Sequence, residues 1–136
     1  MSISRRDLIR RASLIAGGFT GLPAWTALGR HLPRPICGVA DVAPGASFTF
    51  SFPGKDDPCV LVRTADGKFH AFSRTCTHLG CLVDWDPKAK RLQCPCHGGA
   101  YDVATGDVLE GPPPEALPRV VIQVRDGRVW ALWVRA

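Results

Sequence analysis

The feature that most constrains this chain is a stretch of 22 residues, positions 76 to 97, that holds four of its 6 cysteines and two of its 4 histidines. They fall into two short segments of like make-up, Cys76-Thr77-His78-Leu79-Gly80-Cys81 and Cys94-Pro95-Cys96-His97-Gly98, each with two Cys and one His. Gly80, Pro95, Gly98 and Gly99 punctuate them, so both segments are expected to be tight loops rather than helix or strand. Two thiolates and two imidazoles suit either a single zinc ion or a 2Fe-2S cluster with both Cys on one iron and both His on the other. The residue types leave that choice open.

The rest of the chain reads as a small all-β body. With 136 residues, 46% of them hydrophobic, there is material for one packed domain and too much apolar surface for disorder. The 14 Gly and 12 Pro, without period or low-complexity blocks, favour short strands and turns over a helical bundle. Residues 46–52 alternate so that Phe48, Phe50 and Phe52 share one strand face. Residues 59–62 and 68–72 flank an Asp66-Gly67 turn, and residues 120–124 and 129–134 flank Asp126-Gly127, which predicts two hairpins. Short apolar pieces at 82–85, 91–93, 101–103 and 107–109 bring the expected total to roughly nine strands in an antiparallel barrel or sandwich.

The amino terminus has a different character. Residues 1–30 carry five Arg and one Asp, so they hold +4 of the net charge of +5 and leave the body almost neutral, without the basic stripe that nucleic-acid binding needs. Arg5-Arg6 followed by Leu8-Ile9 and then 17 uncharged residues, 12–28, resembles a twin-arginine export signal, which carries folded, cofactor-loaded proteins across the bacterial inner membrane. The expected division is therefore 1–30 as signal or membrane-anchoring helix, 31–37 as linker and 38–136 as the folded domain. The weak small-residue site at 27–29 leaves cleavage open, and 17 uncharged residues reach the short limit of a membrane span.

The two Cys/His segments are similar, residue for residue, to the cluster loops of Rieske iron-sulfur proteins. The resemblance runs on through Tyr101-Asp102, Gly111-Pro112-Pro113 and Leu117-Pro118. It implies a Rieske-like β fold with a two-loop cluster subdomain and one 2Fe-2S cluster per chain. It also implies Cys76 and Cys94 as ligands of the inner iron, His78 and His97 as ligands of the outer iron, a Cys81–Cys96 disulfide, and Tyr101 donating to a ligand sulfur. The second Cys pair is most similar to the subunits of cytochrome bc and b6f complexes, which oxidise quinol and pass the electron to a c-type cytochrome or a copper protein beside a membrane cytochrome b. Residues 52–61 resemble instead the small Rieske subunit of periplasmic molybdenum oxidases such as arsenite oxidase, in which a molybdenum-containing subunit is the donor. A stapled binding domain without redox function is the third reading. Neutral imidazoles in place of thiolates raise a cluster's potential from about −400 mV to roughly −150 to +300 mV. Gly99 stands where high-potential relatives carry a Ser that donates to a cluster sulfide, which implies a potential below theirs. Cys37 and Cys59 read as small buried apolar groups or a second disulfide, and His31, His70 and the four Trp as outside the site.

Overall fold

The computed structural model describes residues 32–136. Ten strands run in order: β1 Arg34–Gly38, β2 Ser47–Ser51, β3 Pro58–Arg63, β4 Phe69–Ser73, β5 Asp84–Asp86, β6 Arg91–Cys94, β7 Gly99–Tyr101, β8 Val108–Glu110, β9 Arg119–Arg125 and β10 Arg128–Arg135. A six-stranded sheet has the order β1-β10-β9-β4-β3-β2, and a four-stranded sheet, β5-β6-β7-β8, is inserted between β4 and β9. All pairings are antiparallel, as the sequence pattern implied. The export-signal segment, 1–30, lies outside the described residues. Among the described residues no helix is long and apolar enough to cross a membrane.

Two cores meet at β3, whose apolar run is buried on both faces. Cys59 and Leu61 point into one core with Ala71, Val120, Val129 and Ala131. Val60 and Val62 point into the other with Phe72, Leu92 and Tyr101. Alternation along one strand thus joins the sheet interior to the inserted subdomain. Phe48 and Phe50 of β2 pack on the first core, and Phe52, just past the strand end, is fully buried there. Full burial of a side chain such as Leu61 or Phe72 contributes about 1.5 to 3 kcal/mol.

Asp126 and Gly127 both have positive φ, 51° and 70°, the geometry a two-residue hairpin turn needs to match strand twist. The stretch expected as linker supplies β1 instead, paired at the sheet edge with β10. Pro33 and Pro35 disguise it, yet an edge strand tolerates Pro because one side of its backbone needs no ladder partner. Ile36 and Cys37 anchor the strand in the first core. Cys37 and Cys59 are both free and buried, matching the reading as small apolar groups rather than a second disulfide.

A Cys/His metal centre on two loops

The subdomain begins and ends at one place. The Ser73 amide donates to the Pro118 carbonyl at 2.9 Å, and Arg74 ties the entry back by donating to the Val83 carbonyl at 3.0 Å and pairing with Asp84. Trp85 donates its indole proton to the Gly45 carbonyl at 2.8 Å, fastening the small sheet to the large one.

The first loop, residues 76–81, closes on itself. The Cys76 amide donates to the Cys81 carbonyl at 2.8 Å and the Gly80 amide to the Cys76 carbonyl at 3.0 Å, with Gly80 at φ 76°. The second loop is the turn between β6 and β7, whose last register pair is Cys94 with Gly99 and whose Gly98 has φ 72°. A Cys81–Cys96 disulfide joins the two loops across 15 residues of sequence. The sulfurs of Cys81, Cys94 and Cys96 lie within 4.8 Å of one another, so the bridge sits directly against Cys94, whose own thiol stays free. Cys81 and Cys96 have spent their thiols on each other and have none left for a metal.

The remaining donors lie in two pairs. Cys76 and Cys94 are buried and hydrogen-bonded to each other, while His78 is half-buried and His97 exposed. The two imidazole rings meet edge to face with centroids 5.1 Å apart. Burial pushes both thiols up; at Cys76 this is outweighed by the Tyr101 hydroxyl and the amides of His78 and Leu79, so that thiol lies below its ordinary range. Cys94 stays raised, by burial and by the Cys76 thiol beside it, so one thiol of the pair gives up its proton more readily than the other.

Tyr101, fully buried on β7, places its hydroxyl 3.2 Å from Cys76 Sγ. The Thr77 amide donates into the same oxygen at 3.2 Å and Thr77 Oγ1 lies 3.1 Å from it, so the phenolic proton has both the Cys76 sulfur and the Thr77 hydroxyl oxygen within reach. Burial and the Cys76 thiol hold the phenol above its ordinary range, so it keeps that proton. Thr77, which sequence reasoning passed over, also donates its hydroxyl to the Glu115 carbonyl at 2.8 Å and so tethers the proline-rich loop to the first Cys/His loop.

That proline-rich loop lies on the second Cys/His loop with no space between them. A Cβ at Gly111 would come within 2.8 Å of Gly99 Cα, and one at Gly99 within 2.8 Å of Pro113 Cγ and 3.2 Å of Cδ. The Pro113 ring therefore occupies the volume that any side chain at position 99 would enter.

Two buried thiols and two better-exposed imidazoles, on loops pinned by a disulfide and a phenol, are a donor set suited to a metal-sulfur protein with mixed Cys/His ligation. The donor set fits a cluster with one thiolate-held and one imidazole-held iron. Residues 33–129 match the Rieske [2Fe-2S] domain. The chain is 38% identical over 90 residues to the cytochrome b6-f complex iron-sulfur subunit of Chlorobaculum tepidum, covering 66% of this chain and 48% of that one. The plasma membrane Rieske protein of the cyanobacterium Synechocystis superposes with a TM-score of 0.63 at 30% identity, over 76% of this chain and 99% of that structure. The soluble domain of Rieske protein II from Sulfolobus acidocaldarius shares the fold, with a TM-score of 0.67 at 24% identity over 88% of this chain and 82% of that structure. The chain belongs to the Rieske 2Fe-2S family, and a Rieske 2Fe-2S cluster is its cofactor. It spans about half the length of the curated relatives it matches, 48% and 43% for two of them.

Proposed function

We propose that this chain is the electron-transfer subunit of a quinol-oxidising cytochrome bc-type complex, working on the periplasmic side of a bacterial inner membrane after twin-arginine export. The observation that carries the reading is the Cys81–Cys96 disulfide between the two loops. It is the feature by which the sequence is most similar to bc and b6f subunits, and the relatives named as b6-f iron-sulfur subunits support the reading. The ligands are Cys76 and Cys94 on the inner iron and His78 and His97 on the outer iron.

When bound, the cluster supplies a one-electron acceptor whose potential is raised by its two neutral imidazole ligands. The chain's own residues supply the remainder. The buried thiols keep water from the sulfur side, and the Tyr101 hydrogen bond stabilises negative charge at Cys76. His97 is exposed and His78 half-exposed, so an imidazole nitrogen can take the proton of a quinol hydroxyl. Leu79, 68% exposed beside His78, offers that ring an apolar contact.

The test is anaerobic stopped-flow reduction of the purified holoprotein by a short-chain quinol, with a c-type cytochrome or a small copper protein as oxidant. Co-purification from membranes with a cytochrome b is expected. The position of Gly99 favours a second reading, the small subunit of a molybdenum oxidase, in which the donor is a molybdenum-containing subunit. Reduction by such a subunit with none by quinol would replace the first reading with the second.

A further inference from the structure

The solvent side of the β9–β10 ribbon takes no part in the cluster site. Register pairs Arg125 with Arg128, Gln123 with Trp130, Val121 with Trp133 and Arg119 with Arg135, and cross-strand partners share a face. Val120, Ile122, Val129 and Ala131 turn the other way, into the core. The outward face therefore carries four Arg and two Trp, with Asp126 in the turn at one end. Residues 32–136 hold 12 Lys and Arg against 11 Asp and Glu, so this concentration of cations is a local departure from a nearly neutral surface.

Trp133 is 45% exposed, and Arg125 stacks over Trp130 at 4.3 Å from the ring centroid. β4 and β9 share only the Phe72–Arg119 register pair, and beside it opens a cavity of about 270 Å³ lined by His70, Arg119, Val121 and Arg135 among others. Arg119 is committed to the Ala104 carbonyl, next to Asp102, and to the Phe72 ring; Arg135 has no ion-pair partner among the described residues.

We propose that this face rests on an anionic phospholipid surface, with Arg125, Arg128 and Arg135 at the headgroup phosphates and the Trp133 indole at the level of the headgroup boundary. Charge complementarity alone would also suit an acidic protein. Two observations favour lipid. An exposed indole, Trp133, among arginines on one face is the composition of a membrane-interface surface, the ring having an apolar body and one polar N–H, whereas Trp130 has its N–H buried and is covered by Arg125. The chain also enters at this face: β1 is the direct neighbour of β10, with Pro35 opposite Trp130, and only residues 29–33, at most about 18 Å of chain, separate it from the uncharged run 12–28. The second argument rests on the membrane location proposed above, and the first does not.

Full-length holoprotein would be mixed with vesicles of phosphatidylcholine alone or with added phosphatidylglycerol. Any hydrophobic attachment through residues 1–31 acts on both, so the readout is the salt-sensitive excess on anionic vesicles. With about fivefold per arginine near such a surface, Arg125→Gln/Arg128→Gln/Arg135→Gln should lower binding to anionic vesicles roughly a hundredfold. The cluster's EPR signal and its reduction by quinol should remain, which separates this test from that of the electron-transfer reading. Lipids brominated just below the headgroup should quench tryptophan emission more on anionic than on neutral vesicles, Trp25 in the uncharged run contributing to both, and Trp133→Phe should remove much of that excess quenching. Equal partition onto both vesicle types, the outcome expected of an acidic protein partner, would overturn the proposal. So would an anionic excess that survives the triple substitution, or excess quenching unchanged by Trp133→Phe.

Discussion

Gly99→Ser would restore the hydroxyl that high-potential relatives place beside a cluster sulfide, but the structure leaves no room for it. The new Cβ lies 2.8 Å from Pro113 Cγ, whereas ordinary contact begins near 3.4 Å, so something must retreat by about 0.6 Å, the difference of the two. The loop has little freedom to do so, because Pro113 is buried and the Gly111 backbone already lies so close to Gly98 and Gly99 that a Cβ there would come within 2.8 Å of Gly99 Cα. Overpacking of this kind costs about 1 to 3 kcal/mol. The single variant should therefore be destabilised by that amount in denaturant unfolding. Its cluster should be lost faster, without the rise of some tens of millivolts that a new donor would bring. Pro113→Ala removes Cγ and Cδ, so Gly99→Ser/Pro113→Ala should recover stability. It should then show the rise in protein-film voltammetry, since about 1.4 kcal/mol of preference for the reduced cluster corresponds to 59 mV for one electron. A double-mutant cycle with no coupling, or a single Gly99→Ser variant of unchanged stability and raised potential, would refute the argument that Pro113 dictates glycine at position 99.

Cys81→Ser should leave a fold that assembles the cluster but loses about 3 kcal/mol of stability for a 15-residue separation, read as faster bleaching of the visible spectrum; wild-type bleaching would show that the bridge does not hold the loops. Tyr101→Phe removes the hydrogen bond to Cys76 and should lower the midpoint, while a potential at or above wild type would mean the phenol does not stabilise charge on that sulfur. Burial raises the Cys59 thiol to about 11, with Asp57 adding to the shift; because its folded value lies above the unfolded one, its contribution is complete below about pH 8.5 and is lost as pH climbs towards 11. Cys59→Ala should flatten that alkaline decline in stability, and an unchanged decline would assign it to other groups.

The candidate site was legible because its donors lie in two contiguous motifs, so local spacing carried the cluster of Cys and His, and the resemblance carried the disulfide and the proposed ligand set. The strands from β2 to β4 and the two Asp-Gly hairpins were legible for the same reason, since alternation and turn chemistry are local. What escaped was whatever depends on residues far apart or on a break in period. β1 was hidden by two prolines that an edge position tolerates. The outward face of β10 was hidden because the register slips between Ala131 and Trp133, so strict alternation from Trp130 places the wrong residue outside. The contact of Pro113 with Gly99 joins two loops 14 residues apart, and no local pattern announces it.

These contacts also explain how loops with so little regular structure can hold reactive groups in place. Each Cys/His loop is fastened at several independent points. The first has its own amide bonds, the disulfide, Tyr101 and the Thr77 link to Glu115; the second has the β6–β7 pairing, the same disulfide and the glycine-proline seam. Tyr101 belongs to β7 of the inserted sheet and packs with Val60 and Val62 of β3, so the group that touches Cys76 is itself set by the core shared between the two sheets. A substitution that loosened that core, such as Val62→Ala, would move the phenol relative to the sulfur without touching the site. Its effect would then appear in the redox midpoint as well as in the unfolding curve, whereas Val129→Ala, in the other core, should change the unfolding curve alone. Equal midpoints for Val62→Ala and the wild type would mean that Tyr101 is positioned by its neighbours in the small sheet and not by β3.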